Sequence, residues 1–256
     1  EGAEVDRLLD KPSATKTQTE VQSAPTATVT NVEVTDRSEQ PPGLFSLNEL
    51  QKEANKKFGF TAQKTLTVAQ ALYETHKVAT YPRTDSRYIP PDVALETADT
   101  LKSLASSGPL KSMAQKAVAA GFTINPTAVN AAKVTDHHAI LPTGQTASAL
   151  SADEEKIYEL IVSRFVANFF PPFKTTNTVV RAKTDAAVSH TLKGSGRVIV
   201  DMGWREVEGL PKDEQPSLPM VQSGDVLAVQ KVTLAESKTK PPSKFSDGSL
   251  LAAMES

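Results

Sequence analysis

The sequence of 256 residues contains no cysteine, which excludes disulfide bonds and thiolate metal sites and is compatible with a reducing compartment. It has no apolar run near the ~20 residues that a membrane-spanning helix needs, and its first residues lack the pattern of a secretory signal peptide. A strong net charge is also missing. The formal value of −2 at pH 7 argues against nucleic-acid affinity over the whole surface. With 39% hydrophobic and 23% charged residues, the composition is typical of a soluble globular protein large enough for two domains.

Helix caps and apolar periodicity predict five helices in the middle of the sequence. Ser46 and Glu49 have the spacing of a capping box, and Thr67 and Gln70 have the same spacing at the next helix. The predicted helices cover residues 46–59, 65–77, 91–106, 110–120 and 151–170. Residues 1–24 are expected to contribute little to the packed structure.

Strand patterns flank the helical segment on both sides. Residues 26–34 alternate apolar and polar side chains, and β-branched runs between glycine-bearing turns follow residue 172. Double prolines at 41–42 and 171–172 interrupt the chain between the two kinds of pattern. We therefore predict an α+β fold, in which a helical domain is inserted into a mostly antiparallel β domain. The predicted ranges are 41–172 for the helical domain, 1–40 with 173–240 for the β domain, and 241–256 for the start of a further domain.

The stretch YPRTDSR, residues 81–87, concentrates groups suited to phosphoryl transfer. The proline after Tyr81 disfavours helical geometry at the tyrosine, so the phenol is expected on a rigid segment beyond a helix end. Arg83 offers a planar fork of donors suited to phosphate oxygens, and Thr84 and Ser86 add hydroxyl donors. Asp85 is expected to orient Arg83 or to cap the next turn. Taken alone, a tyrosine at a helix exit is more often a core residue.

A second stretch, DHHAILPTG at residues 136–144, places two histidines beside an acid. The histidines could be solvated side chains in a turn, members of a Ser-His-Asp hydrolase triad, or metal ligands. Neighbouring side chains seldom converge on one point, and no serine has the sequence frame of a nucleophile elbow. The residues alone leave these interpretations open.

TYPRTDSRYIP, residues 80–90, resembles the active-site segment of the type IA DNA topoisomerases, in the form closest to bacterial topoisomerase III. The preceding PPGLFSLNELQKEANKKFGFTAQKTLTVAQALYE is similar to that family's approach to its tyrosine. DHHAILPTG, the pair GW at 203–204 and the C-terminal KPPSKFSDGSLLAAMES resemble further family segments. The resemblance runs from about residue 26 to the end.

The resemblance implies that Tyr81 attacks single-stranded DNA and forms a transient link to a 5′ phosphate, with Arg83 beside the scissile phosphate. His137 falls at the position of the family's phosphate-contacting histidine. Phosphate contact is therefore the favoured role for this residue, a hydrolase triad comes second, and a metal site comes last. The other candidates for DNA or phosphate binding are Thr84, Ser86, Arg87 and His138, and Asp85 and Asp136 are expected to support them. Resealing by the 3′ hydroxyl would need no nucleotide cofactor.

The resemblance further implies a ring-shaped, magnesium-dependent enzyme whose Mg²⁺ ligands lie outside this chain. No segment resembles the family's acidic metal-binding domain, so we expect a fragment that binds no metal and cleaves DNA poorly by itself. Its expected partners are single-stranded DNA and the remaining domains of the same enzyme, with no membrane, in the cytoplasm at the bacterial nucleoid. The alternatives are a single-stranded DNA-binding module without chemistry and an unrelated Ser-His-Asp hydrolase.

Overall fold

The computed structural model describes residues 7–210 and 216–255, and the chain divides into two units. The first, here called the sheet unit, comprises Glu1–Arg37, Lys174–Val200 and Lys212–Pro242. The second, the helical unit, comprises Ser38–Phe173, Asp201–Pro211 and Ser243–Ser256.

The sheet unit is built on an antiparallel arrangement that confirms the predicted α+β class. Its elements are α1 (Lys11–Ser23), β1 (Thr26–Glu39), β2 (Phe173–Thr184), β3 (Thr191–Asp201) and β4 (Val226–Ala228), in the sheet order β3-β2-β1-β4. Strand β1 pairs with β4 in antiparallel register, with Thr26 opposite Ala228. Ala27 and Val29 of β1 face Val180 and Ala182 of β2 in a small apolar core.

Three expectations about this unit are corrected. The segment 11–23, expected to contribute little, is helix α1, because the Asp10 carboxylate accepts a hydrogen bond from Ser13 N (2.8 Å) and Val21 is buried. Strand β1 continues past the predicted residue 34 to Glu39. Among the strands predicted after residue 172, the last is only the three-residue β4.

The helical unit packs its elements around α6. It contains α2 (Leu47–Phe58), α3 (Ala62–Glu74), α4 (Pro91–Ser107), α5 (Lys111–Ala119), α6 (Ala152–Ala167), α7 (Arg205–Glu208), α8 (Asp247–Glu255) and the 3₁₀ turns Pro126–Ala128 and Ala131–Lys133. The second half of α6 is buried on all sides, which is typical of a central helix. No helix in the described part of the chain is long and apolar enough to cross a membrane.

The caps of α2 and α6 follow the sequence patterns, and that of α3 does not. Ser46 Oγ accepts from Glu49 N (3.3 Å) at the start of α2, and α6 has both hydrogen bonds of its capping box. The prediction that Thr67 caps α3 is wrong. Helix α3 begins at Ala62, where the Thr61 hydroxyl accepts from Lys64 N (3.1 Å). Thr67 lies inside the helix and donates to the Gln63 carbonyl instead.

Residues 201–210 and 243–255 group with the helical unit, whereas the predicted ranges placed 201–210 in the β domain and 243–255 in a further domain. The reason is that α7 packs on α6 and α8 packs on α2. Gly203 has a φ of +45°, and a Cβ there would collide with the carbonyl oxygens of Pro171 and Pro172. Trp204 N donates to Pro171 O (3.0 Å), so the glycine allows the close approach that fixes the buried tryptophan.

Candidate active site

Tyr81 lies in the loop between α3 and α4, and the backbone just before it is held by a segment distant in sequence. Thr80 N donates to Leu141 O (2.9 Å), and Leu141 N donates back to the Thr80 hydroxyl (2.9 Å). Ala79 and Pro142 form an antiparallel bridge next to this pair. The position of the tyrosine is therefore set by the stretch around residue 141 as well as by the end of α3.

The same loop is tied to a second segment after the tyrosine. Leu47 N, at the start of α2, donates to Thr84 O (2.8 Å), and Ala139 N donates to Tyr88 O (2.9 Å). Phe45 and Ile140 form a further antiparallel bridge between the two supporting segments. These backbone hydrogen bonds fix the loop although it contains no helix or strand of its own.

Thr84 and Ser86 have buried hydroxyls that are already committed to the protein. Thr84 Oγ1 donates to His137 O (2.8 Å) and accepts from Ser86 N (3.1 Å). Ser86 Oγ donates to Lys133 O (3.0 Å) and accepts from Tyr88 N (3.1 Å). A hydroxyl has a single proton to donate. Both side chains therefore hold the two loops of the site together in this structure, instead of presenting the free phosphate donors expected from the sequence.

The Tyr81 ring is partly exposed and lies between two other rings. It meets Tyr73 of α3 edge-on, with centroids 5.4 Å apart at 77°, and the His137 ring at 4.5 Å and 51°. Among the described residues the Tyr81 hydroxyl has no hydrogen-bond partner, whereas Val78, Ala79 and Ile89 of the same loop are buried. The aromatic pairs orient the ring, and Tyr81 is not a core residue.

Arg83 provides uncompensated positive charge two residues after the tyrosine. It is exposed, and within residues 7–210 and 216–255 it forms no hydrogen bond or ion pair. The expectation that Asp85 orients Arg83 or caps the next turn is not met, because Asp85 is exposed and has no such bond in the same ranges. Asp136 is equally exposed and unbonded in the described chain. The guanidinium is therefore free to meet an anion.

Arg87 and His138 have protein contacts that limit their reach. Arg87 is partly buried, its Nε has no hydrogen-bond partner, and a Cβ at Gly43 would lie 3.3 Å from that atom. Gly43 thus leaves room for the guanidinium. His138 Nδ1 lies 2.7 Å from the Ala139 carbonyl, which turns that ring toward the backbone. Of the two histidines, only His137 has its ring against Tyr81.

Metal and triad chemistry find no support in the geometry. In the described ranges no three His, Asp or Glu side chains are grouped so that they could hold a metal ion. The donor set around Tyr81 therefore does not fit a resident Mg²⁺. Neither His137 nor His138 is hydrogen-bonded to a serine hydroxyl among the described residues, so the hydrolase interpretation has no nucleophile.

Two contributors to the site were not predicted from the sequence. The Tyr73 ring packs on Tyr81, and Lys77 Nζ lies 5.4 Å from the Tyr73 ring centroid. Lys77 has a φ of +56°, where the chain leaves α3 for the loop. The position of these two residues in the sequence could have indicated their role. They lie at the end of a helix that stops just before a rigid loop, and the last turn of such a helix is close to the loop.

The comparisons of this chain with known proteins all find DNA topoisomerases. The family model described as DNA topoisomerase matches residues 1–256. DNA topoisomerase 3 of Shouchella clausii is 41% identical over 255 residues, covering 98% of this chain and 34% of that protein. DNA topoisomerase 3 of Bacillus licheniformis is 38% identical over 237 residues, covering 90% of this chain and 32% of that protein. The chain thus spans about a third of the length of these curated relatives.

A solved structure supports the fold. Full-length topoisomerase I from Thermotoga maritima matches with a TM-score of 0.72 at 24% identity, over 99% of this chain and 41% of that chain. At this identity the match shows the fold alone, and it agrees with the α+β architecture described above.

Proposed function

Because this chain belongs to the DNA topoisomerase family, we propose that it supplies the nucleophile and phosphate-contacting groups of a type IA enzyme of the topoisomerase III kind. One observation carries the proposal. The partly exposed ring of Tyr81 is held between Tyr73 and His137, its hydroxyl has no partner among the described residues, and the unpaired Arg83 follows two residues later. A phenol that is fixed and accessible, with a free cation two residues further along the same loop, is suited to attack a phosphodiester.

The proposed reaction exchanges one phosphoester for another. Tyr81 Oη attacks phosphorus in single-stranded DNA, the Oη–P bond forms, and the P–O3′ bond breaks. The phenol loses its proton and the 3′ oxygen gains one, which leaves a 5′-phosphotyrosine and a free 3′ hydroxyl. The 3′ hydroxyl later attacks the same phosphorus and releases Tyr81. Because the number of phosphoester bonds is unchanged, the cycle needs no nucleotide cofactor.

Three residues are given supporting roles in this reaction. The Arg83 guanidinium donates to the non-bridging phosphate oxygens, where charge develops during the transfer. His137 provides a second phosphate contact next to the Tyr81 ring. Thr84 holds the two together, since its hydroxyl bonds the backbone carbonyl of His137 (2.8 Å).

Strand passage and the use of Mg²⁺ are proposed for the whole enzyme and not for this chain by itself. The described residues around Tyr81 do not fit a resident Mg²⁺, so no step of this reaction is assigned to one. Relaxation or decatenation of DNA, the ring-shaped enzyme that encloses it, and a location at the nucleoid are further parts of the proposal. They follow from the family and from DNA as the substrate.

A second candidate function is binding of single-stranded DNA without cleavage. The observation that favours it is the pairing of exposed cations with aromatic rings at the site, as with Lys77 over the Tyr73 ring. Successive bases stack on such rings in proteins that bind single strands, while nearby cations neutralise the backbone. Binding must also precede cleavage, so both functions can belong to one surface.

The first prediction tests the nucleophile by substitution. We would replace the matched third of Shouchella clausii DNA topoisomerase 3 with this chain and incubate the chimaera with labelled single-stranded DNA and Mg²⁺. Tyr81→Phe should abolish the denaturant-resistant protein–DNA adduct and the relaxation of supercoiled DNA, because the attacking oxygen is gone. Tyr88→Phe, which removes a phenol hydroxyl from the same loop, should retain both activities.

The outcomes separate the two candidates. Relaxation that persists in Tyr81→Phe would show that another residue is the nucleophile. An unsubstituted chimaera that binds single-stranded DNA but forms no adduct would favour the binding function. Binding of DNA should be retained in Tyr81→Phe in either case, because the ring remains.

A further inference from the structure

A cavity of about 530 Å³ lies apart from the Tyr81 loop in the helical unit. Its walls are the end of α4, the turn into α5, the loop at residues 144–150 and the first turns of α6. No residue of the loop at 78–89 and none of 136–141 lines it. The volume falls in the range that is typical of small-molecule sites, and the site proposed above makes no use of it.

Tyr158 is the feature of this cavity that calls for a partner. Its side chain lines the cavity, the residue is 2% exposed, and its hydroxyl forms no hydrogen bond with any described residue. The hydroxyl oxygen itself keeps some accessible surface and opens onto the cavity, so a bound molecule can reach it. Burial also raises the pKa of Tyr158, so the phenol stays neutral and can both donate and accept.

Two carboxylates flank Tyr158 on the same helix. Glu155 and Glu159 both line the cavity one turn apart, and neither forms an ion pair within the described chain. Like charges at this spacing repel each other. The start of the helix stabilises Glu155 through its dipole, but Glu159 lies beyond the first turn. By contrast, Asp153 of the same helix is paired with Lys64 at 2.7 Å.

The remaining walls combine hydrocarbon, the polar side chains of Ser103, Ser107 and Thr146, and strained backbone. Leu104, Leu110 and Leu150 provide apolar surface. Leu110 and Ala149 have φ values of +56° and +54°, which non-glycine residues seldom adopt. Such strain persists only where the surrounding packing fixes it, and it is common around ligand sites.

We propose that this cavity binds an aliphatic ammonium compound of the polyamine class. One ammonium group lies between the carboxylates of Glu155 and Glu159 and donates to the Tyr158 hydroxyl, and the methylene chain lies against the leucines. A bare metal ion would make no apolar contact with the leucine side chains of the wall. An anion would be repelled by the two carboxylates. The site is independent of the phosphotyrosine chemistry.

The test is calorimetric titration of the whole chain with spermidine at fixed ionic strength. Saturable binding at one site is expected. Glu155→Gln and Glu159→Gln should each weaken it about tenfold, because each removes one charged hydrogen-bond partner. Tyr158→Phe should weaken it several-fold. Glu96→Gln, at an exposed acid outside the cavity, should leave the affinity unchanged.

Several results would overturn the proposal. They are the absence of saturable binding, an equal loss in Glu96→Gln, full competition by Mg²⁺ at matched ionic strength, or an unchanged affinity in Tyr158→Phe. If Tyr158→Phe does not fold, NMR shift changes in the unsubstituted chain serve instead. Spermidine should then move the amides of Ser103, Thr146 and Glu159, and shifts confined to other acidic surfaces would refute the site.

Discussion

At position 84 one of the hydroxyls that connect the two motifs of the site is buried and fully used. Thr84 belongs to the tyrosine motif, and it donates to the carbonyl of His137, which is 53 positions further along the chain. In a sequence, a threonine beside an arginine indicates a phosphate donor. A threonine whose hydroxyl bonds a distant carbonyl looks the same in the sequence, so the two roles cannot be distinguished there. The residue types of the site could be predicted, but these contacts between distant segments could not.

Loss of this hydroxyl should therefore loosen the site. In Thr84→Val the carbonyl of His137 loses its donor and Ser86 N loses its acceptor, in a nearly buried place. We expect the free energy of unfolding to fall by about 1–3 kcal/mol, measured by urea denaturation. Adduct formation in the chimaera should also slow, because His137 is no longer held beside Tyr81.

Thr135→Val is the matched control. Thr135 is exposed, precedes Asp136 in the other motif, and has no hydrogen bond among the described residues. Its substitution should change the unfolding free energy little. Equal losses in the two variants would mean that the Thr84 bond contributes no particular stability.

Arg83 should act on the phosphate more than on the fold. Arg83→Ala removes an exposed cation without a protein partner in the described ranges, so the unfolding free energy should change little. The rate of adduct formation should fall by about 10²–10³, the magnitude typical of a lost transition-state donor. Single-stranded DNA binding should also weaken and depend less steeply on salt.

Lys111→Ala provides the comparison. Lys111 is an exposed lysine at the start of α5, away from the tyrosine motif. If it lowers DNA affinity and adduct rate as much as Arg83→Ala does, the contribution of Arg83 is diffuse electrostatics and not a contact with the phosphate.

At the scale of elements, the predicted helix ends depended on local chemistry. The Ser46 cap of α2 and the start of α6 near residue 151 were predicted because cap hydrogen bonds form within a few residues. Thr61 was missed because the residue three positions on is Lys64, whereas Thr67 and Gln70 match the capping-box pattern. The extent of β1 and the brevity of β4 depend on pairing between distant strands, which the periodicity of one strand does not specify.

The capping box of α6 makes stability depend on pH. Hydrogen bonds from the Ser151 backbone and hydroxyl, with a smaller effect of His76, lower the pKa of Glu154 below its ordinary value of 4.5. A carboxylate with a lowered pKa stabilises the folded state above its ordinary pKa, and this contribution is lost as the pH falls through the lowered value. The destabilisation caused by Glu154→Gln should therefore be largest near pH 7 and shrink below about pH 4.

Urea denaturation at several pH values measures this difference. Glu96→Gln, at an exposed acid with no bond in the described chain, should show no comparable pH dependence. Ser151→Ala should cost about 1 kcal/mol at pH 7, which is typical of a lost helix cap. A Glu154→Gln effect that grows toward acidic pH would contradict the assigned direction of the pKa shift.

At the scale of the whole molecule, the two units differ in the size of their cores. The buried core of the sheet unit consists of small side chains on two strands, such as Val29 and Val180. That of the helical unit includes large ones, among them Phe165 and Trp204. Since the apolar area removed from water sets most of the stability, we expect the sheet unit to unfold more easily.

Hydrogen exchange in increasing urea tests this expectation. Amides of β2, such as Val180, should lose protection at lower urea than amides of α6, such as Val162. Trp204, the only tryptophan of the sequence, reports the helical unit by fluorescence, and its transition should coincide with that of α6. Coincident loss of protection in β2 and α6 would show that the chain unfolds as one cooperative body.

The backbone hydrogen bonds between the tyrosine loop and residues 139–142 also affect which recombinants between genes of this family would fold correctly. A crossover between codons 90 and 136 would join the two halves of the site from different parents. The amide–carbonyl pairs would form again in the offspring, because every residue type except proline provides them. The hydroxyls of Thr80 and Thr84 depend on particular side chains, since they bond Leu141 N and His137 O, so hybrid genes that keep both threonines should inherit a working scaffold.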